Sequence, residues 1–190
     1  MKIGLFFGSF NPIHIGHMAI ANYMVEFTDL DKLWFVVSPH NPLKIKHTLL
    51  ADYHRLEMVN RAILNDSRFG VSNIEFNMPQ PSYTINTLAY LTEKYPNYEF
   101  AIIMGSDGLE TFKKWKNYEL IIKDYPRYIY PRPNTPADLL TNIENGAIVN
   151  APNIEISSTF IRESIKNKKD VRHFLPERVW LYLDEMNFYK

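Results

Sequence analysis

The sequence predicts an α/β protein: a doubly wound parallel sheet with a small helical extension at the C-terminal end. Three observations carry this. Short apolar runs of four to eight residues alternate with stretches of ten or more residues in helical spacing, the pattern of βαβ units and a parallel sheet. Several of those runs are continuously apolar, as strands covered on both faces are. Residues of unusual chemistry fall just after the first, second and fourth runs, where open α/β sheets hold their ligands.

The first run, Lys2–Phe7, ends at a glycine and reads as a buried strand. His17–Phe27 follows helical spacing, with Ile20, Met24 and Phe27 on one stripe. Lys32–Val37 is the second strand, closed by Ser38 and Pro39, and His40–Leu50 is a polar, basic loop. Ala51–Leu64 is an amphipathic helix carrying Leu56, Val59 and Ile63. Phe69–Phe76 is a third strand, and Met78–Ser82, with two prolines, is irregular. Thr84–Tyr95 is helical and stopped by Pro96; Glu99–Met104 is the fourth strand. Leu109–Lys123 is one helix or two short ones, and Arg127–Tyr130 and Ala147–Asn150 are strands five and six. Ser158–Lys168 and Pro176–Glu185 are the last helices, the second with proline at its start. No linker, repeat or low-complexity stretch divides residues 1–190, so one domain is expected, its helical C-terminal portion spanning about 157–190.

Composition narrows the function classes. With 0 cysteines among 190 residues, disulfide scaffolds, Cys-ligated zinc, iron–sulfur clusters and thiol catalysis are excluded, and a reducing, cytoplasmic setting is expected. Lys+Arg and Asp+Glu are both 21, which argues against a nucleic-acid coat or an anionic-membrane binder. A small anionic ligand remains compatible, because it feels local charge and not the total. No signal peptide or membrane span is expected: Gly8, Asn11 and Pro12 interrupt the only N-terminal apolar run. Glycine is scarce, 7 residues where average usage would give about 13, and Gly8, Gly16, Gly105 and Gly108 sit after strand ends.

Gly8-Ser9-Phe10-Asn11-Pro12-Ile13-His14-Ile15-Gly16-His17 follows the first strand. Gly8 is expected to let the chain turn and its amides approach a ligand. The helix that follows directs unpaired N–H groups and its positive dipole end at the same space. His14 and His17, three apart, face one ligand, and the set suits polyphosphate. An ordinary structural histidine at a helix start is the plain alternative; metal ligation lacks an obvious third protein ligand, and no protein metal site is expected. The chain has neither Gly-x-x-x-x-Gly-Lys-Ser/Thr nor Gly-x-Gly-x-x-Gly, which disfavours P-loop NTPases and NAD-dependent dehydrogenases.

Gly-x-Phe-x-Pro-x-His-x-Gly-His, with six fixed positions, resembles the signature of the nucleotidyltransferase superfamily, whose fold is that of class I aminoacyl-tRNA synthetase catalytic domains. The resemblance implies a Rossmann-like nucleotidyltransferase fold and transfer of a nucleotidyl group from a nucleoside triphosphate. Near the C-terminus, Ile156-Ser157-Ser158-Thr159-Phe160-Ile161-Arg162 opens another helix, where Ser158 or Thr159 is a candidate cap and Arg162 a charged fork for phosphate. An ordinary cap and a solvated arginine are the plain alternative. The segment resembles the companion motif of the superfamily's pyridine-nucleotide branch, in which the serines and the arginine hold the ATP phosphates.

Three further segments bear on the acceptor. His40 and Lys44 follow strand two, where a mononucleotide phosphate would dock; Tyr83-Thr84-Ile85-Asn86-Thr87-Leu88 opens a helix whose amides suit a carboxylate; Gly105-Ser106-Asp107 follows strand four, with Trp115 downstream. A core role is the plain alternative for Trp115. Together with Arg132-Pro133 they resemble the bacterial nicotinate-mononucleotide adenylyltransferases, over nearly the whole chain. The resemblance implies that ATP and nicotinate mononucleotide yield nicotinate adenine dinucleotide and pyrophosphate, with Mg²⁺ held mainly by the ATP phosphates. It implies catalytic roles for His14, His17 and Arg162, and ATP contacts from Gly8, Ser9, Phe10, His14, His17, Gly105, Asp107, Ile156, Ser157, Ser158 and Arg162. It assigns the mononucleotide to Ser9, His40, Lys44, Thr84, Asp107, Trp115 and Lys116, with the amides around Trp115 and Lys116 on the nicotinate carboxylate. Asn11, Asn86 and Lys116 depart from the family's usual residues, Asn11 standing where most bacterial members have Asp. No nucleic-acid or membrane partner is expected, and a homo-oligomer is compatible with the sequence. A nicotinamide-preferring enzyme, a phosphopantetheine adenylyltransferase and a catalytically silent nucleotide-binding module are the competing readings.

Overall fold

The computed structural model describes residues 1–39, 49–133, 135–141 and 143–190. Six parallel strands form one sheet: β1 (Lys2–Gly8), β2 (Lys32–Val37), β3 (Phe69–Ser72), β4 (Glu99–Gly105), β5 (Arg127–Tyr130) and β6 (Gly146–Ile148), in the order β3-β2-β1-β4-β5-β6. The chain reverses its winding between β1 and β4, so the crevice of such a sheet opens beyond their carboxyl ends.

Among the described residues, seven α-helices cover the two faces: α1 (Ile15–Phe27), α2 (Asp52–Ile63), α3 (Thr84–Lys94), α4 (Leu109–Phe112), α5 (Tyr118–Asp124), α6 (Ser158–Lys166) and α7 (Glu177–Glu185). Strand periodicity divides the core between those faces. Phe6, Leu33, Phe35, Val37, Ala101, Ile103, Tyr128 and Tyr130 pack with α1, α2, α6 and α7. Ile3, Leu5, Val36, Phe100, Ile102, Met104 and Ile129 pack with α3, α4 and α5. Both faces are buried, which is why the strands read as continuous apolar runs. The expected doubly wound α/β sheet with C-terminal helices is therefore present.

Several boundaries move for local reasons. Helix α1 starts at Ile15 and not at His17, because His14 takes the extended cap conformation (φ −143°, ψ 171°). Strand β3 stops at Ser72, and Ile74–Asn77 forms a 3-10 turn that carries Glu75 inward. Buried Glu75 accepts hydrogen bonds from Thr87 Oγ1 (2.8 Å) and Ser82 Oγ (3.0 Å), tying the proline-rich loop to the first turn of α3. The 109–124 stretch is two helices, separated where Asn117 adopts φ 51°. Strand β6 lies one residue earlier than expected at its start and two earlier at its end, and α6 ends at Lys166, just before Lys168 at φ 57°. Among the described residues, no helix is long and apolar enough to cross a membrane.

Candidate functional site

Strands β1 and β2 finish in register, Gly8 opposite Val37, and Gly105 at the end of β4 lies opposite Tyr130 at the end of β5. The segments beyond these ends build the site. The turn after β1 is made by Phe10 (φ 45°) and not by Gly8, because no glycine has positive φ. Left-handed backbone at a residue with a side chain costs on the order of 1–3 kcal/mol. Burial of the Phe10 ring offsets it with about 1.5–3 kcal/mol. That ring is 2% exposed and meets Phe6, Phe35 and His17 edge-on, at centroid distances of 5.9, 5.4 and 5.2 Å. Gly8 is required for a different reason: a Cβ there would stand 2.7 Å from Phe10 Cζ.

The two imidazoles stack at 3.7 Å with an interplanar angle of 28°. The His14 N–H donates to His17 Nδ1 (3.2 Å). An accepting Nδ1 carries no proton, so His17 is held as the tautomer with its proton on Nε2. Gly16 leaves space for this arrangement, since a Cβ there would come within 3.0 Å of His14 Nδ1. His14 is buried, and among the described residues its Nδ1 has no hydrogen-bond partner. Burial, assisted by the positive charge of Arg132, lowers its pKa to about 4. His14 is thus uncharged near neutrality, and two stacked imidazoliums are avoided there.

That depression has a measurable consequence. Imidazole in the unfolded chain titrates near 6.5, so acid favours the unfolded chain. The stability that neutral His14 contributes is complete above about pH 6.5 and drains away as pH falls toward about 4, by an amount of order 3 kcal/mol. The lowered carboxylates Asp29 and Asp66 lose their contribution only below about 4, so the intervening window belongs to the imidazole. Urea unfolding is expected to give a lower free energy at pH 4.5 than at pH 7 by roughly this amount, with most of the difference absent from His14→Gln. An equal pH dependence in that variant would assign the effect elsewhere.

The C-terminal motif docks directly on the first. Ser157 caps α6 by accepting from the Phe160 N–H (3.1 Å), a role expected for Ser158 or Thr159. Ser158 is instead turned to the first motif, its Oγ donating to Pro12 O (2.9 Å). Arg162 donates from Nη1 to Asn11 O (2.8 Å) and from Nη2 to Thr159 Oγ1 (3.2 Å). Phe6, His14, Gly16, His17, Tyr130, Arg132 and Ile156 line one narrow cleft. Asp107 sits beside it, 3.9 Å from Arg132 Nε.

Thr84, Trp115 and Lys116 form a second group. Thr84 opens α3, and Lys116 Nζ lies 4.6 Å from the Tyr83 ring, joining the helix start to the loop after α4. Trp115 is half-buried, tilted against Phe112 at 5.2 Å. Its amide is engaged with Phe112 O (2.9 Å), so of the two amides expected to meet a carboxylate only that of Lys116 is without a backbone partner among the described residues. His40 and Lys44 lie outside the described residues.

Residues to which the sequence assigned no site role complete the site. Ser106, fully buried, accepts from the Arg132 N–H (2.8 Å) and bonds Thr135 Oγ1 (2.6 Å), fixing Arg132 at the cleft. Arg132-Pro133 immediately after a strand end was the available signal. Tyr189 donates to Asn11 Oδ1 (2.6 Å), which also accepts from the Leu50 N–H (3.2 Å). Asn11 therefore has a bracing role that a carboxylate would fill equally, and no local pattern announces a partner 178 positions away.

The family model described as cytidylyltransferase-like matches residues 5–164. A Flavobacterium psychrophilum protein named "Probable nicotinate-nucleotide adenylyltransferase" is 56% identical over 192 residues, covering 100% of both chains. A Bacteroides thetaiotaomicron protein of the same name is 48% identical over 97% of this chain and 92% of its own. Among solved structures, the Plasmodium falciparum nicotinic acid mononucleotide adenylyltransferase complexed with NaAD superposes with a TM-score of 0.81 at 21% identity, covering 99% of this chain and 97% of the other; this likeness concerns the fold.

Proposed function

We infer, for a chain that belongs to the cytidylyltransferase-like family and aligns end to end with nicotinate-nucleotide adenylyltransferases, that it transfers the adenylyl group of ATP to nicotinate mononucleotide. The products are nicotinate adenine dinucleotide and pyrophosphate. The observation that carries this reading is the convergence of the two motifs, Arg162 on Asn11 O and Ser158 on Pro12 O, around the stacked His14 and His17. An oxygen of the acceptor 5′-phosphate attacks the α-phosphorus, and the bond to the bridging oxygen breaks. That nucleophile is already ionised near neutrality, so no general base is needed. Catalysis is alignment together with donors aimed where negative charge grows. His17 presents Nε2–H, neutral His14 a second polar edge, and Arg162 its remaining N–H groups. We take Mg²⁺ as part of the substrate, held by the triphosphate and water, and the enzyme as a single cytoplasmic unit without protein metal ligands, nucleic-acid partners or membrane partners.

For the acceptor, the Lys116 ammonium beside the start of α3 favours a carboxylate over a carboxamide. Incubation with ATP, Mg²⁺ and either nicotinate or nicotinamide mononucleotide, followed by product separation, tests the reading. A dinucleotide formed from the acid in preference to the amide is expected. ADP with phosphate, or no turnover of either acceptor, refutes it. Trp115→Ala is expected to raise KM for the mononucleotide by about tenfold, the value of one lost aromatic contact of roughly 1–1.5 kcal/mol, while KM for ATP stays near its original value. Equal effects on both would place Trp115 in the core alone.

A further inference from the structure

Arg55, in the first turn of α2, is the bulkiest side chain that the described residues bury completely. All five of its N–H groups are used. Nε donates to Leu50 O (3.0 Å), Nη1 to Ser9 O (2.7 Å) and Ser38 O (2.7 Å), and Nη2 to Pro39 O (3.0 Å) and Asp52 Oδ1 (2.5 Å). Four of the five acceptors are main-chain carbonyls.

Their positions explain the arrangement. The Ser38 N–H to Gly8 O bond (2.9 Å) is the last rung between β1 and β2. Beyond it the two chains must separate to make a crevice, and their carbonyls lose ladder partners. Nη1 of Arg55 bonds the next carbonyl on each side, Ser9 after β1 and Ser38 after β2. A side chain thus continues the ladder where the strands have diverged. A buried guanidinium costs several kcal/mol in desolvation, and Asp52, its one carboxylate partner among the described residues, is itself 41% exposed. A residue needed only to fill space would be apolar. Arg55 cannot touch substrate, being fully buried.

We propose that Arg55 is a positioning residue for adenylyl transfer, fixing the loop that leads to His14 against the end of β2. It sets the distance between the ATP-side segment, Ser9–His14, and the chain that leaves β2. The inference rests on the adenylyl-transfer reading. Turnover by the unsubstituted enzyme tests that reading, and the ratio of variant to parent tests Arg55.

Arg55→Lys keeps the charge and loses the planar fork, so one ammonium cannot reach carbonyls on three segments. Misplacement of reacting groups by about 1 Å costs up to roughly 10²-fold. Arg55→Lys is therefore expected to lower kcat by about 10- to 100-fold, with KM for each substrate changed by less than about threefold. Active sites are counted by calorimetric titration with the dinucleotide product, at a temperature where circular dichroism shows the variant folded. A purely structural role would lower the melting temperature and leave kcat per counted site within about threefold of the parent, which overturns the proposal. Should Arg55→Lys not fold, Arg55→Ala with added methylguanidinium replaces it. Recovery of kcat with methylguanidinium but not methylammonium supports positioning by the fork; recovery of folding without recovery of kcat, or equal recovery with either cation, overturns it.

Discussion

His17→Ala is expected to lower kcat on the order of 10²-fold or more, the size of the loss when one preorganised donor to a developing charge is removed. The tautomer of His17 is the cause. His17 Nδ1 accepts the His14 N–H (3.2 Å), so the ring is oriented before any ligand arrives and its proton stands on Nε2. The Phe10 ring meets it edge-on from one side and His14 stacks on it from another, which restricts the remaining rotation. A donor held in this way reorganises little during reaction, and that is what makes it count in the transition state. Folding should suffer much less. His17 is half-buried, and the hydrogen bond at its Nδ1 is worth about 1 kcal/mol beside its ring contacts with Phe10 and His14. Steady-state kcat at saturating ATP and mononucleotide, read beside a thermal melt, separates the two effects. Turnover close to that of the parent in a folded His17→Ala enzyme would remove His17 from the mechanism.

The sheet was legible because its strands are buried on both faces: Glu99–Met104 and Lys32–Val37 could hardly be anything else. Boundaries were less so, since they depend on where a side chain goes. Phe69–Phe76 reads as one strand until Glu75 turns inward to Thr87 and Ser82. In the site, residues carried by contiguous motifs, His14, His17, Ser158 and Arg162, could be named through the family resemblance of those motifs. Residues that act through distant carbonyls could not. Arg55 looks like any arginine of an amphipathic helix, and its acceptors Ser9 and Ser38 lie 46 and 17 positions away. Gly8 shows a subtler failure. The glycine stands out in the sequence, but its purpose is room for the Phe10 ring, while the left-handed turn falls on the phenylalanine itself.

Arg162 offers the second large effect, and the harder one to interpret, because the proposed function gives it a second job beside the docking that its hydrogen bonds show. Two of its five N–H groups are committed to Asn11 O and Thr159 Oγ1, which pin α6 to the first motif. The others, without a partner among the described residues, are proposed to meet phosphate oxygens as charge accumulates on the leaving group, where a charged donor is worth more than a neutral one. Arg162→Ala should therefore lower kcat on the order of 10²- to 10³-fold. Arg162→Lys should recover little of it, since a lysine ammonium cannot bond Asn11 O and a phosphate in the fixed geometry of a fork. Docking and chemistry separate through Ser158→Ala. That substitution deletes the Oγ bond to Pro12 O, a link between the same two segments, and removes no charge. It should cost about 1 kcal/mol of stability and much less rate than Arg162→Ala. Rate losses of similar size in the two variants would mean that Arg162 only holds α6 in place; a large excess in Arg162→Ala, at comparable melting temperatures, puts its guanidinium on the phosphates.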